Sequence, residues 1–176
     1  MIDGMDIFIR QILNMAPDIL GQGEGGVESM IECFFDGCCE PINPGGTAAY
    51  GVVIYKNGEK IWEDSKIVGS GKGISNNVAE YAGFKAILKY LLDHELNKSQ
   101  IIAYGDSMMV VKQMAGAWRI KAGAYVELAL ECQDMLRHFP YLVGKWIPRE
   151  KNYLADELSK KVIKQAGVKF RIQPEA

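Results

Sequence analysis

The pair Asn57-Gly58 stands between two runs rich in β-branched and aromatic residues, AYGVVIYK and KIWEDSKIVG. Asn-Gly favours the two-residue turn whose twist matches that of paired strands, so an antiparallel hairpin is expected here. An earlier apolar run, IECFFD, supplies another strand ahead of it. Beyond the hairpin the pattern changes. Ser75 can cap a helix from about Asn77 to His94, with Ala79, Ala82, Ala86, Leu88 and Leu91 among its apolar positions. IIAYGD reads as a short strand, SMMVVKQMAG as a helix, Gly123 to His138 as another helix, YLVGKWI as a strand and Asn152 to Gln165 as a basic helix. Strands alternating with helices after an antiparallel start predict an α/β fold, a mixed sheet with helices on its faces.

The ends read differently from the middle. Residues 5–20 carry Ile7, Phe8, Ile12 and Met15 as a short helix, and GQGEGG follows as a linker. Residues 1–30 are therefore expected to be an appendage, 31–166 the folded domain and 167–176 a tail. A chain of 176 residues, 48% hydrophobic, suits one such domain. No apolar run reaches membrane-spanning length, and MIDGMDIFIR carries acids where a secretory signal carries positive charge, so a soluble, cytoplasmic protein with no membrane partner is expected. Cys33, Cys38, Cys39 and Cys132 form no C-x-x-C pair, which argues for reduced thiols and against a cysteine zinc site. The net charge of -2 is unevenly spread: the first 31 residues hold one base and five acids, whereas eight bases face four acids from Lys145 onward. That C-terminal excess permits a nucleic-acid partner without requiring one.

Two apolar strands end on an acid, Asp36 in FFDG and Asp106 in YGDS. Sites in sheets of this kind form beyond the strand ends, so these two carboxylates would converge if their strands are parallel neighbours. Glu80 and Asp156 fall near the starts of two helices and can lean over the same edge. Taken singly, each has an ordinary explanation: Asp36-Gly37 as a turn, Asp106-Ser107 as a cap, and Glu80 and Asp156 as complements to helix dipoles. Together they would repel, and a hard oxygen-binding cation such as Mg²⁺ or Mn²⁺ is the natural way to neutralise them.

The conjunction of FFDG, NPGG (Asn43 to Gly46), SNNVAE (Ser75 to Glu80), YGDSMMVVKQMAG and WIPREKNYLADELS resembles the type 1 ribonucleases H, and covers essentially all of residues 31–160. The resemblance implies a ribonuclease H-like fold, a five-stranded mixed sheet of order 3-2-1-4-5 with helices on both faces. It implies an endonuclease that cuts the RNA strand of RNA/DNA hybrids with two metal ions bound alongside substrate, leaving 5′-phosphate and 3′-hydroxyl ends. Asp36, Glu80, Asp106 and Asp156 fall on the catalytic, metal-holding set, Asp36 bridging both ions. Main-chain groups of Gly37, Cys38 and Cys39 fall near the RNA backbone, Asn76 and Asn77 near the minor groove, and Asn43 and Ser75 near a DNA phosphate. Trp118 is expected either against a DNA sugar or in the core.

Two departures stand out. The basic, tryptophan-rich loop of many members is absent, since Gly116 to Tyr125 is short, so hybrid binding would lean on Lys112, Arg119, Lys121 and the C-terminal bases. The loop PREKNYLA before Asp156 lacks histidine, as in the archaeal-like and plant-like branch. Glu150, Lys151, Lys169 or Arg171 is expected to supply part of that function, and His94 and His138 none of it. The rival readings are a non-catalytic module binding hybrid or double-stranded RNA, a proofreading exonuclease, and a domain cut from a reverse transcriptase. Asp36 is followed by Gly37 and Cys38 where exonucleases carry Asp-x-Glu, and a chain opening at Met1 with its own appendage reads as free-standing, a monomer by preference.

Overall fold

The computed structural model describes residues 29–171. The expected N-terminal helix and linker lie outside that range. Five strands, β1 (Met30–Glu40), β2 (Thr47–Lys56), β3 (Glu59–Ser70), β4 (Gln100–Gly105) and β5 (Leu142–Trp146), form one sheet in the order β3-β2-β1-β4-β5. β1 to β3 pair antiparallel, while β4 and β5 run parallel to β1. The sheet is thus the mixed one expected. At the β2–β3 turn Asn57 and Gly58 take φ of 51° and 82°, the left-handed values that favour this pair. Asn57 also closes the start of β1, accepting from Met30 N at 3.0 Å through its side chain and donating to Met30 O at 2.9 Å.

Four helices follow from the pattern: α1 (Asn76–Asp93), α2 (Met108–Met114), α3 (Val126–Leu136) and α4 (Tyr153–Gln165). Tyr81, Phe84, Ile87, Leu88 and Leu91 recur at helical spacing, and this stripe of α1 packs on Ile31, Cys33 and Phe35 of β1 and on Val52 and Ile54 of β2. Gly83 brings the helix close, since a Cβ there would lie 3.1 Å from Tyr50 Cβ. α3 covers α1 through Ala129 and Cys132. The opposite face carries α4, whose Ile163 joins Cys38 and Ala49 in a second cluster with Val168 and Phe170, so the described start of the tail packs against the domain. All four cysteines are buried and unpaired. No helix among the described residues is long and apolar enough to cross a membrane.

Two local expectations are corrected. β1 does not end at Asp36, because its antiparallel register with β2 continues from Asp36–Gly51 to Glu40–Thr47. Gly37 is accordingly a strand residue, and its lack of a side chain is needed for a different reason: a Cβ would fall onto Glu80 N and Ala79. Glu80, for its part, lies one turn inside α1, which has no acid in its first turn, so a dipole role does not account for it.

Candidate active site

Asp36 sits where two registers part. Parallel pairing between β1 and β4 stops at Phe35–Gly105, whereas β1 runs on beside β2. A gap therefore opens next to Asp36, and Asp106, the first residue after β4, stands across it. Glu80 enters from above, because Gly37 lets α1 settle on β1. One carboxylate oxygen from each of Asp36, Glu80 and Asp106 lies within 4.8 Å of the others. Asp36 is 3% exposed and Glu80 6%. Burial, then the charges of Asp106 and Asp156, raise Asp36 to about 7, against the opposing Ser159 hydroxyl and Arg149 guanidinium. Burial and the Asp36 and Asp106 charges hold Glu80 well above the usual carboxylate range, and burial also raises Asp106. Glu80 Oε2 is buried with no hydrogen-bond partner. An orphaned buried carboxylate oxygen beside two more acids fits a hard cation with oxygen ligands.

Asp156 is near this trio but not part of it. It lies in the first turn of α4, where Arg149 Nη2 donates to its Oδ1 at 2.9 Å and Lys160 Nζ to its Oδ2 at 2.6 Å. Asn152 anchors that helix start to the site: its Nδ2 donates to Phe35 O at 2.8 Å, and the residue is 1% exposed. One turn beyond Asp156, Ser159 donates to Asp36 Oδ2 at 3.1 Å. Trp146 Nε1 holds the Asp106 carbonyl at 3.0 Å. Among the described residues, Arg149 is a cation whose charge acts on Asp36, Glu80 and Asp106 together. Arg171 instead meets Glu40 and the Cys39 carbonyl. His94 stacks on Tyr90, and its Nδ1 donates to the Tyr90 carbonyl at 2.8 Å, outside the acid cluster.

A family profile described as reverse transcriptase-like matches residues 34–162. LC11-RNase H1, isolated from compost and solved in complex with an RNA/DNA hybrid, is 32% identical, with 78% of this chain and 98% of that one covered at a TM-score of 0.69. The chain belongs to the type 1 ribonuclease H family. Other relatives agree. Ribonuclease HI of Halobacterium salinarum is 27% identical over 136 residues, 77% of this chain and 65% of that one. The bifunctional protein Rv2228c of Mycobacterium tuberculosis is 32% identical over 119 residues, 66% of this chain but only 31% of that protein's length. Its N-terminal RNase H domain, solved as a fusion with maltose binding protein, superposes at a TM-score of 0.69 with 29% identity, covering 78% of this chain and 96% of that one.

Among ribonucleases H of this type, the remaining expected contacts concern substrate, and here the structure divides them. Gly37, Cys38 and Cys39 are buried, the two cysteine side chains against Ile163 and Ala79, and the Cys39 carbonyl accepts from Arg171 Nη2 at 3.2 Å. Asn43, Ser75 and Asn76 form one knot: Asn43 Oδ1 accepts from Asn76 N at 3.0 Å, and Ser75 Oγ caps α1 at Val78 N. Asn77 is half-buried beside them. Trp118 is 50% exposed, which excludes the core role left open by the sequence. Sequence reasoning missed Arg149, Asn152, Ser159 and Lys160. For Ser159 and Lys160 the signal lay in their spacing from Asp156, three and four residues on and so on its helical face.

Proposed function

We propose that this chain is an endoribonuclease that hydrolyses the RNA strand of RNA/DNA hybrids using two divalent ions, Mg²⁺ or Mn²⁺, and leaves 5′-phosphate and 3′-hydroxyl ends. The observation that carries this reading is the Asp36, Glu80 and Asp106 cluster with its unpartnered Glu80 oxygen. These three residues would hold one ion, and Asp36, with Asp156 once released from its clamp, the other. Bound there, such ions supply a nucleophilic water at neutral pH and stabilise charge on the departing oxygen. The chain's own contribution is to keep the acids in place. Ser159 orients Asp36, Trp146 holds the Asp106 main chain, and Arg149 favours the ionised acids that a cation requires. No side chain need act as a covalent nucleophile. The hybrid is also the ligand in the LC11-RNase H1 complex.

Because Arg149 and Lys160 both engage Asp156, a second reading is a module that binds hybrid without cutting it. The two are separated by measuring cleavage and binding together in the wild type, Asp36→Asn and Asp106→Asn. The amide keeps the shape and loses the charge. Cleavage is expected to fall by about a hundredfold or more, the scale of removing one preorganised electrostatic group, while hybrid binding and folding persist. A wild type that binds hybrid and never cuts it, with metal present, supports the second reading; mutants that cut at the wild-type rate contradict the first.

A further inference from the structure

The segment from Ala115 to Tyr125 joins α2 to α3. Trp118, Arg119 and Lys121 are exposed along it, and Ile120 is its half-buried apolar anchor. Its far end borders the connection into α1: a Cβ at Gly73 would lie 3.8 Å from Ala124 Cβ. The segment therefore shares a surface with the knot of Asn43, Ser75 and Asn76. A stretch with so little apolar burial needs polar ties to keep one conformation.

Ala117 N and Trp118 N donate to the Lys112 carbonyl at the start of the segment, and one buried side chain ties its middle and its far end. Gln113, 3% exposed, lies in α2. Its Nε2 donates to the Arg119 carbonyl at 3.0 Å and to the Tyr125 hydroxyl at 3.4 Å, and its Oε1 accepts from the Tyr81 hydroxyl at 2.6 Å. The Tyr81 and Tyr125 rings, whose hydroxyls both meet the amide, stack on each other 5.5 Å apart at 5°. A primary amide has two N–H donors and one carbonyl, and all three functions are engaged; methionine or leucine would fill the volume and make none of these bonds. Tyr81 also follows Glu80 directly, so the same amide joins the exposed segment to the helix that carries a site carboxylate.

We propose that Gln113 is a positioning residue for substrate: its amide fixes the main chain at Arg119 and thereby holds Trp118 and Arg119 ready for the nucleic acid. The inference rests on the hybrid-cleaving reading above, and deepens it by assigning part of hybrid affinity to a buried side chain that touches no substrate. Loss of the amide should raise KM and spare kcat, because the acids remain in place.

The test is Gln113→Met in the full chain. KM for hybrid is expected to rise about fivefold, roughly the worth of one net hydrogen bond, with kcat within about twofold of the wild type. Amide hydrogen exchange should quicken over residues 116–120 and stay unchanged in α3. In a Trp118→Ala/Arg119→Ala background the same substitution should change KM no further, as coupling through those residues requires. If Gln113→Met does not fold, Tyr81→Phe/Tyr125→Phe removes both hydroxyls around the amide and is read for the same KM and exchange changes. An unchanged KM, or a loss confined to kcat, in an enzyme whose wild type cuts hybrid overturns the proposal. A wild type that does not cut hybrid overturns the hybrid-cleaving reading instead, and the two failures are distinct.

Discussion

Asp36, Glu80 and Asp106 show how position gives a common residue an uncommon property. An aspartate in an Asp-Gly pair is ordinary, yet Asp36 lies where β1 outlasts β4, and burial beside two more acids raises it to about 7. The convergence of two strand-ending acids was legible from the sequence, because the strands themselves were. Arg149 was not, because its role depends on where a short 3-10 turn (Arg149–Lys151) carries its side chain, and no spacing rule specifies that. Its charge lowers Asp36, Glu80 and Asp106 alike. Removing that charge in Arg149→Ala leaves the acids protonated to higher pH, so they compete less well for a cation near neutrality. Cleavage at pH 7 and fixed Mg²⁺ should drop about three- to tenfold, with the loss shrinking as pH rises. A deficit that is constant across pH would show that Arg149 acts otherwise than through the acids.

At the scale of elements, the sequence carried the order of strands and helices well and their ends less well. Hairpin chemistry at Asn57-Gly58 and the apolar stripe of α1 are local signals, readable from neighbours along the chain. The length of β1 is not local. Gly37, Cys38 and Cys39 look like the start of a turn, and are strand because Tyr50, Ala49 and Ala48 pair with them from β2. The closeness of α4 to the sheet is equally hidden. At Gly51 a Cβ would meet the Ala155 carbonyl, Ser159 N at 2.6 Å and Leu158 Cβ at 2.8 Å, so the helix start rests directly on β2. Gly51→Ala must push that end of α4 outward. It should cost about 1–3 kcal/mol in denaturant unfolding, the range for overpacking a core, and should weaken the Ser159–Asp36 bond with it. A variant as stable as the wild type would mean that α4 is seated less tightly than this contact implies.

For the whole molecule, gathering acids in one pocket sets a conflict between stability and charge. Asp36 binds its proton more tightly when folded, at about 7, than in an unfolded chain at about 3.9. Its contribution to stability is therefore full below pH 4 and is lost as pH rises through 7. With chelator present, the melting temperature should fall between pH 5 and pH 8, and millimolar Mg²⁺ should restore it most at the upper end, where the ionised acids bind a cation. A melting temperature that rises with pH in chelator, or one indifferent to Mg²⁺ at pH 8, would count against the acid trio as a cation site. A cleavage assay on end-labelled RNA/DNA hybrid, double-stranded RNA, double-stranded DNA and single-stranded RNA, each with Mg²⁺, Mn²⁺ or chelator, tests metal-dependent hybrid cleavage by this chain most directly. The expected result is metal-dependent cutting of the hybrid's RNA strand alone, with 5′-phosphate and 3′-hydroxyl ends; cutting that persists in chelator, or that prefers another substrate, would contradict it.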